Sequence, residues 1–359
     1  MELENKVAIV TGSSRGLGKV WAIALAQAGA SVVVAARTEK DPGKTAVVHL
    51  PGEHFAWRES LITGSTPAGV GGNEWRSVRA QHLSKAYGVD LQECERGLLD
   101  QEKKLSSFAE HEEVVLWFEH DLFCQTNLLY LLNWFAQEDT GSTKLSLICI
   151  DAFPGKENFR GLGELNAEQM ASLFPGRQQV TSAQLRLAQL AWQAYCSSHP
   201  AEIEEIMQTS DLLPFLGQAL RAHLRRFPST KNGLGSIENK GLELIHGGSK
   251  TFVDLFPRFG DAEAIYGLGD AQFWLALHGL SGGRQPLIRT KNGNSGEDEL
   301  TPNIIPNAKF ELTEPGKAVL RGDTDFVELN GIDLWLGGVH LSPINLWRWD
   351  EAAGTIVSD

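Results

Sequence analysis

Two groups of residues in this 359-residue sequence are of types and spacing that do chemistry. The first is Glu119-His-Asp121, three titratable side chains that end the apolar run Val114-Val-Leu-Trp-Phe118. Carboxylates beside an imidazole suit proton transfer or a divalent cation such as Mg²⁺, Mn²⁺ or Zn²⁺, and a bound cation would make nearby water a usable nucleophile. A plainer role is open to the same residues. Asp121 is well placed as a helix N-cap, Glu119 and His120 can bond loop amides, and successive strand residues point to opposite faces. The second group is Thr11-Gly-Ser-Ser-Arg-Gly-Leu-Gly18, whose glycines let backbone N–H groups approach a pyrophosphate at a helix N-terminus, where the dipole favours negative charge.

The elements that must position these groups are legible. An apolar run over 6–12, a helical pattern over 19–30 and a β-branched run over 31–37 make a βαβ opening. After a polar linker over 39–50, His54-Phe-Ala-Trp57 is a short strand ending in Arg58 and Glu59. Helical patterns over 74–87 and 91–109 lead to the strand before Glu119, a leucine-rich helix over 121–136 follows, and Leu145-Ser-Leu-Ile-Cys-Ile150 ends in Asp151. A glycine-punctuated loop then carries Arg160 and Glu164. With helices between them the strands must be parallel, so these polar ends share one edge of the sheet. The candidate catalytic set is therefore Glu119, His120, Asp121, Asp151, Glu164, Arg58 and Glu59, for metal-assisted or acid/base hydrolysis. The candidate cofactor-binding set is Thr11, Gly12, Ser14, Arg15, Gly16, Gly18 and Arg37.

On the fingerprint Thr11, Gly12, Gly16 and Gly18, residues 1–40 resemble the short-chain dehydrogenase/reductase family. That resemblance implies a Rossmann unit and a nicotinamide dinucleotide, and Arg15 and Arg37 stand where the family's NADP-binding members carry basic residues. The second strand also ends without the acid that would hold a ribose 2′-hydroxyl. The family's chemistry is missing, however. Tyr87, Tyr130, Tyr195 and Tyr266 all lack a lysine four positions on, so Tyr-x-x-x-Lys is absent, as is Asn-Asn-Ala-Gly. An NADP-dependent reductase is disfavoured without its proton donor, and the unit is either a dinucleotide site or scaffold.

A second resemblance covers about 50–350. Trp57-Arg-Glu-Ser-Leu61, Leu116-Trp-Phe-Glu-His-Asp-Leu122, Phe159-Arg-Gly-Leu-Gly-Glu-Leu165 and Leu329-Asn-Gly-Ile-Asp-Leu-Trp-Leu-Gly-Gly-Val-His340 look like domain-of-unknown-function family 1835. It implies a fold and no reaction. That family's usual Asn-Gly-Asp-Ser turn is Thr11-Gly-Ser-Ser14 here, which points to a junction of two ancestries near 40–50.

Further on, Thr181 caps a helix bearing Leu185, Ala188, Trp192 and Tyr195, and helices over 200–207 and 214–227 flank Asp211 as a cap. Short helices over 236–246, 250–256 and 270–280, then strands over 286–289 and 309–312, make a winged-helix pattern. Residues 218–291 hold 10 Lys/Arg and 6 Asp/Glu, a balance of +4 on a chain of net charge -13, which leaves room for DNA contact. Phe273, Trp274, Leu275 and Leu277 make the would-be reading helix apolar, which favours packing. The tail holds Trp335, Trp347, Trp349 and His340 and should dock on the body.

The expected fold is α/β: a Rossmann-like parallel sheet domain over 1–180, a helical region over 181–330 that is winged-helix-like from about 235, and the tail over 331–359. The acidic balance and the lack of a roughly 20-residue apolar run exclude general nucleic-acid and membrane binders. Scattered Cys94, Cys124, Cys149 and Cys196 point to reduced thiols and the cytoplasm. The function expected is binding of a nucleotide or NADP-type dinucleotide at the carboxyl edge of the sheet. The hydrolase, with a divalent metal, and a ligand-sensing DNA-binding or interaction protein are the alternatives.

Overall fold

The computed structural model describes residues 57–157, 159–249, 251–291 and 308–359, the side chains of 167 and 291 aside, and the backbone of 6–11, 30–35 and 54–55. Strands β1 (Lys6–Thr11), β2 (Ala30–Ala35), β3 (His54–Phe55), β4 (Glu113–Glu119), β5 (Lys144–Ile150) and β6 (Gln178–Gln179) form one sheet in the order β2-β3-β1-β4-β5-β6. All pairings are parallel except that of β6, a two-residue antiparallel edge that the sequence pattern does not announce. β1 pairs with β2 in continuous register from Lys6↔Ala30 to Thr11↔Ala35, and β4 lies on its other side with Val10↔Trp117.

β4 is buried along its whole length, as its unbroken apolar run requires of a parallel strand covered on both faces. The charge that opens it is neutralised: buried Glu113 accepts from Arg177 at 2.7 Å and from the Ser146 hydroxyl at 2.7 Å. Helices α1 (Gly72–Tyr87) and α2 (Leu91–Ser106) precede β4, and α3 (Leu122–Phe135) follows it. α3 is apolar nearly all round because it packs on β4, α5 (Ser182–Cys196) and α7 (Leu216–Leu224), with α4 (Ala167–Leu173) and α6 (Ala201–Met207) between them in sequence. Thr181 opens α5 with a capping box to Gln184. Asp211 is not a cap: it lies in a short 3₁₀ turn, and α7 begins after Phe215 without a side-chain cap.

Helices α8 (Ser236–His246), α9 (Phe252–Ala262) and α10 (Asp270–Ser281) come next. The antiparallel pair β7 (Ile288–Lys291) and β8 (Lys309–Leu312) follows, with Thr251 bridging to Lys309. α9 runs on past 256 and through Pro257, against the expected stop. Phe252, Leu255 and Phe259 are all buried from it, and Phe252 stacks on Phe256 at 5.8 Å, so packing outweighs the lost backbone bond of about 3 kcal/mol.

α11 (Glu314–Arg321) and α12 (Phe326–Asn330) lead to the hairpins β9 (Leu334–Leu336) with β10 (Val339–Leu341) and β11 (Trp347–Asp350) with β12 (Thr355–Ser358). The Thr66 N–H donates to the Gly337 carbonyl at 3.0 Å, and the Gly338 N–H to the Tyr195 carbonyl at 2.9 Å. Arg348, buried, pairs with Asp325 at 2.8 Å and Asp359 at 2.6 Å. Buried apolar side chains from Trp57 to Ile356 form one contiguous cluster. Among the described residues no helix is long and apolar enough to cross a membrane.

Candidate functional site

The corner after β4 is built by its own capping chemistry. Asp121 is the N-cap of α3, its Oδ1 accepting the Cys124 N–H at 2.9 Å, and it is 1% exposed. Glu119, also 1% exposed, accepts the Leu162 N–H on Oε1 at 2.7 Å, which ties the loop after β5 over the strand end. The approach is so close at Gly161, φ 148°, that a Cβ there would stand 2.5 Å from the Glu119 carboxylate. Gly267, φ 59°, meets Asp121 in the same way, at 2.0 Å. Both glycines are therefore needed for close approach as well as for their backbone angles.

Cys124 completes the corner. Its thiol donates to Glu119 Oε2 at 3.6 Å, and the ligand-type atoms of Glu119, Asp121 and Cys124 lie within 4.8 Å of one another. Two carboxylates and a thiol are a donor set suited to a divalent cation. Each carboxylate already uses one oxygen on a backbone N–H, so the trio also holds the corner in shape. Below it, Gln125 donates to the Glu119 carbonyl at 2.7 Å and to the Cys149 sulfur at 3.3 Å. Burial pushes the Cys149 thiol up to about 12, so it stays protonated.

His120 stands apart from this trio. Its ring meets the edge of Phe215 at 6.1 Å, and its Nδ1 is buried without a hydrogen-bond partner. Phe215 has φ 64°, the one positive φ of a non-glycine among the described residues, and is thus held in a strained conformation against the imidazole.

Glu59 forms a second centre. It is 4% exposed and paired with Arg79 of α1 at 2.8 Å, while Arg79, fully buried, also donates to the carbonyls of Ser60, Thr63 and Ser65. Asn127 of α3 links this centre to the β4 corner by donating to the Glu59 carbonyl at 3.1 Å and accepting from Trp57 at 3.0 Å. Gln272 of α10 reaches the Ser60 hydroxyl at 3.4 Å.

The remaining candidates are not drawn into either centre. Asp151 is exposed, Glu164 accepts from the Arg160 N–H at 3.3 Å, and the Arg58 N–H donates to Gln101. His340 bonds Asp333 at 2.7 Å and stacks on Trp335 within its own hairpin. Of the glycine-loop set, only the Thr11 backbone is described; Gly12, Ser14, Arg15, Gly16, Gly18 and Arg37 lie outside the described residues. Sequence reasoning missed Cys124, Arg79 and Asn127. Cys124 had a signal, three positions past the cap Asp121, whereas Arg79 and Asn127 look like ordinary helix residues until the fold brings them to Glu59.

Comparison with known proteins bears on the N-terminal unit. A family model described as short chain dehydrogenase matches residues 6–57. An uncharacterized oxidoreductase of Mycobacterium tuberculosis is 54% identical over 39 residues, which are 11% of this chain and 15% of that protein. The chain thus spans a small part of the curated relative it matches, and the likeness is that of a dinucleotide-binding unit of the oxidoreductase type.

Proposed function

We propose that this chain binds a nicotinamide dinucleotide, NADP(H) in preference to NAD(H), at the carboxyl edge of the sheet beside the Glu119-His120-Asp121 corner. The register of β1 carries this reading. With Val10 opposite Trp117, Thr11 is level with Phe118, so the fingerprint that begins at Thr11 begins beside the corner. The 18 residues between Thr11 and Ala30, residues 12–29, exceed the dozen or so that a parallel crossover needs, so a helix can open on the phosphates there.

The residues fit such a group. Thr11, Gly12, Ser14, Gly16 and Gly18 would hold the pyrophosphate, and Arg15 and Arg37 would hold a 2′-phosphate. When bound, the nicotinamide supplies a hydride acceptor or donor. Imidazoles are the commonest proton carriers, and among the described residues His120 stands at this edge. No Tyr-x-x-x-Lys is present to complete a short-chain reductase, so the reading stops at binding.

Two finer readings accompany it. The motifs from Trp57 onward keep the likeness to domain-of-unknown-function family 1835, and the order of α8, α9, α10 and the β7–β8 pair supports a winged-helix-like arrangement. We read the latter as packing. α10 carries no lysine or arginine, and its Phe273, Trp274, Leu277 and Leu280 are at most 1% exposed. All four cysteines are free, which supports a reducing, cytoplasmic setting.

Isothermal titration with NADPH, NADH and ATP tests the proposal. NADPH should bind most tightly, and Gly16→Val should abolish its binding while leaving the unfolding midpoint of the rest of the chain in place. Absence of heat with all three ligands would overturn it.

A further inference from the structure

An open pocket of about 540 Å³ is lined by Met207, Gln218, Arg221, Ala222, Arg225 and Ile265. Gln218, Arg221 and Arg225 fall at spacings of three and four, so they share one face of α7 and its C-terminal extension. Arg221 is exposed and forms no ion pair among the described residues. Arg225 is 35% exposed, its Nε is buried without a hydrogen bond, and its ion pair to Glu351 is a loose 3.5 Å. Like charges four residues apart on a helix repel each other, so among the described residues the two guanidinium groups on this wall are offset only on the Arg225 side, by the acids beside it.

Two acids, Glu351 and Glu263, lie near Arg225 on this wall. Glu351 is 67% exposed and accepts from Trp349 Nε1 at 2.5 Å. Glu263 stands 3.9 Å from Lys240 and interacts with Arg225 as well, while burial raises its pKa. Met207, Ala222 and Ile265 add apolar surface to the lining.

We propose that this pocket is a binding site for a small organic phosphate, with the phosphate on Arg221 and Arg225 and an apolar body against Met207, Ala222 and Ile265. Guanidinium pairs suit phosphate because their N–H groups form charge-assisted, forked hydrogen bonds. The residues of this pocket are others than those of the glycine loop, and the segments that carry them reach the corner twice. Phe215, which precedes α7, packs on His120, and the turn holding Ile265 continues into Gly267 against Asp121. A ligand here is therefore placed to alter the surroundings of His120 and Asp121.

The test is titration of the full chain with phenyl phosphate, inorganic phosphate and phenol. Phenyl phosphate should bind saturably and more tightly than either of the others, and more weakly as salt is raised. Arg221→Gln should weaken it about tenfold, the loss of one charge-assisted contact. Because Arg221 is exposed and forms no ion pair among the described residues, its variant should keep the parent unfolding midpoint; Arg225→Gln should weaken binding as well. Gly16→Val should leave this binding unchanged, which separates the site from the dinucleotide reading. No saturable binding, binding by both arginine variants as tight as the parent's, or binding lost with Gly16→Val would each overturn the proposal.

Discussion

His223 and His82 show how single residues tie this fold to pH. His223 is fully buried in α7 between Tyr195 at 4.6 Å and Phe227 at 5.8 Å, with both ring nitrogens unpartnered. Burial, aided by Arg226, holds its pKa well below the usual 6.5. Burial also lowers His82, to about 3, with Arg79 and Lys85 adding to the effect. Both rings are neutral in the fold, so the unfolded chain binds more protons wherever the pH is below 6.5 but above the folded values. Stability is thus complete above 6.5 and declines as the pH falls through that value towards about 3 for His82, by at most about 1.4 kcal/mol per pH unit for each ring. Urea unfolding between about pH 7 and pH 5 should show this decline in the parent. It should be shallower in His223→Leu, which also removes two unsatisfied nitrogens from the core. Equal slopes in parent and variant would show that His223 is not the source.

At the scale of elements, the loop over 59–65 is pinned to α1 by Arg79, with His82 and Tyr87 of the same helix bonding Thr63 and Ser60. Arg79 binds the Glu59 carboxylate and three carbonyls from a fully buried position. Removing one partner of a buried pair leaves the other charge uncompensated, at a cost of about 3–5 kcal/mol. Arg79→Leu should therefore lower stability by about that amount, and adding Glu59→Gln should restore part of it. A double variant no better than the single one would assign the cost to the lost carbonyl contacts instead. The fully buried β4 strand and the Asp121 cap were legible because their signals are local: an apolar run and a capping residue. The Glu59–Arg79 pair was not, since its partners lie 20 residues apart on a loop and a helix whose packing no periodicity encodes.

At the scale of the whole molecule, the tail is part of the core. Gly338 lies so close to α5 that a Cβ there would be 1.8 Å from the Cys196 carbonyl oxygen. Gly338→Val should undock the β9–β10 hairpin, shift tryptophan emission to the red and open the C-terminus to limited proteolysis. Gly176→Ala, where a Cβ meets nothing within 4 Å, should do neither. Unchanged emission and proteolysis in Gly338→Val would mean that the hairpin does not need this approach. Through Thr66 and Tyr195 the same hairpin braces the loop that carries Glu59, so the tail belongs to the support of that centre.

By itself, the sequence determined the parallel α/β character, the polar strand ends and the glycine fingerprint, because each is written in neighbouring residues at a fixed period. Tertiary structure alone decided which polar ends meet. Glu119 and Asp121 close on Cys124, Glu59 turns to Arg79, and Asp151 stays at the surface. The physical reason is that burial and close approach, as at Gly161 and Gly267, depend on segments more than forty residues from the strand ends they touch.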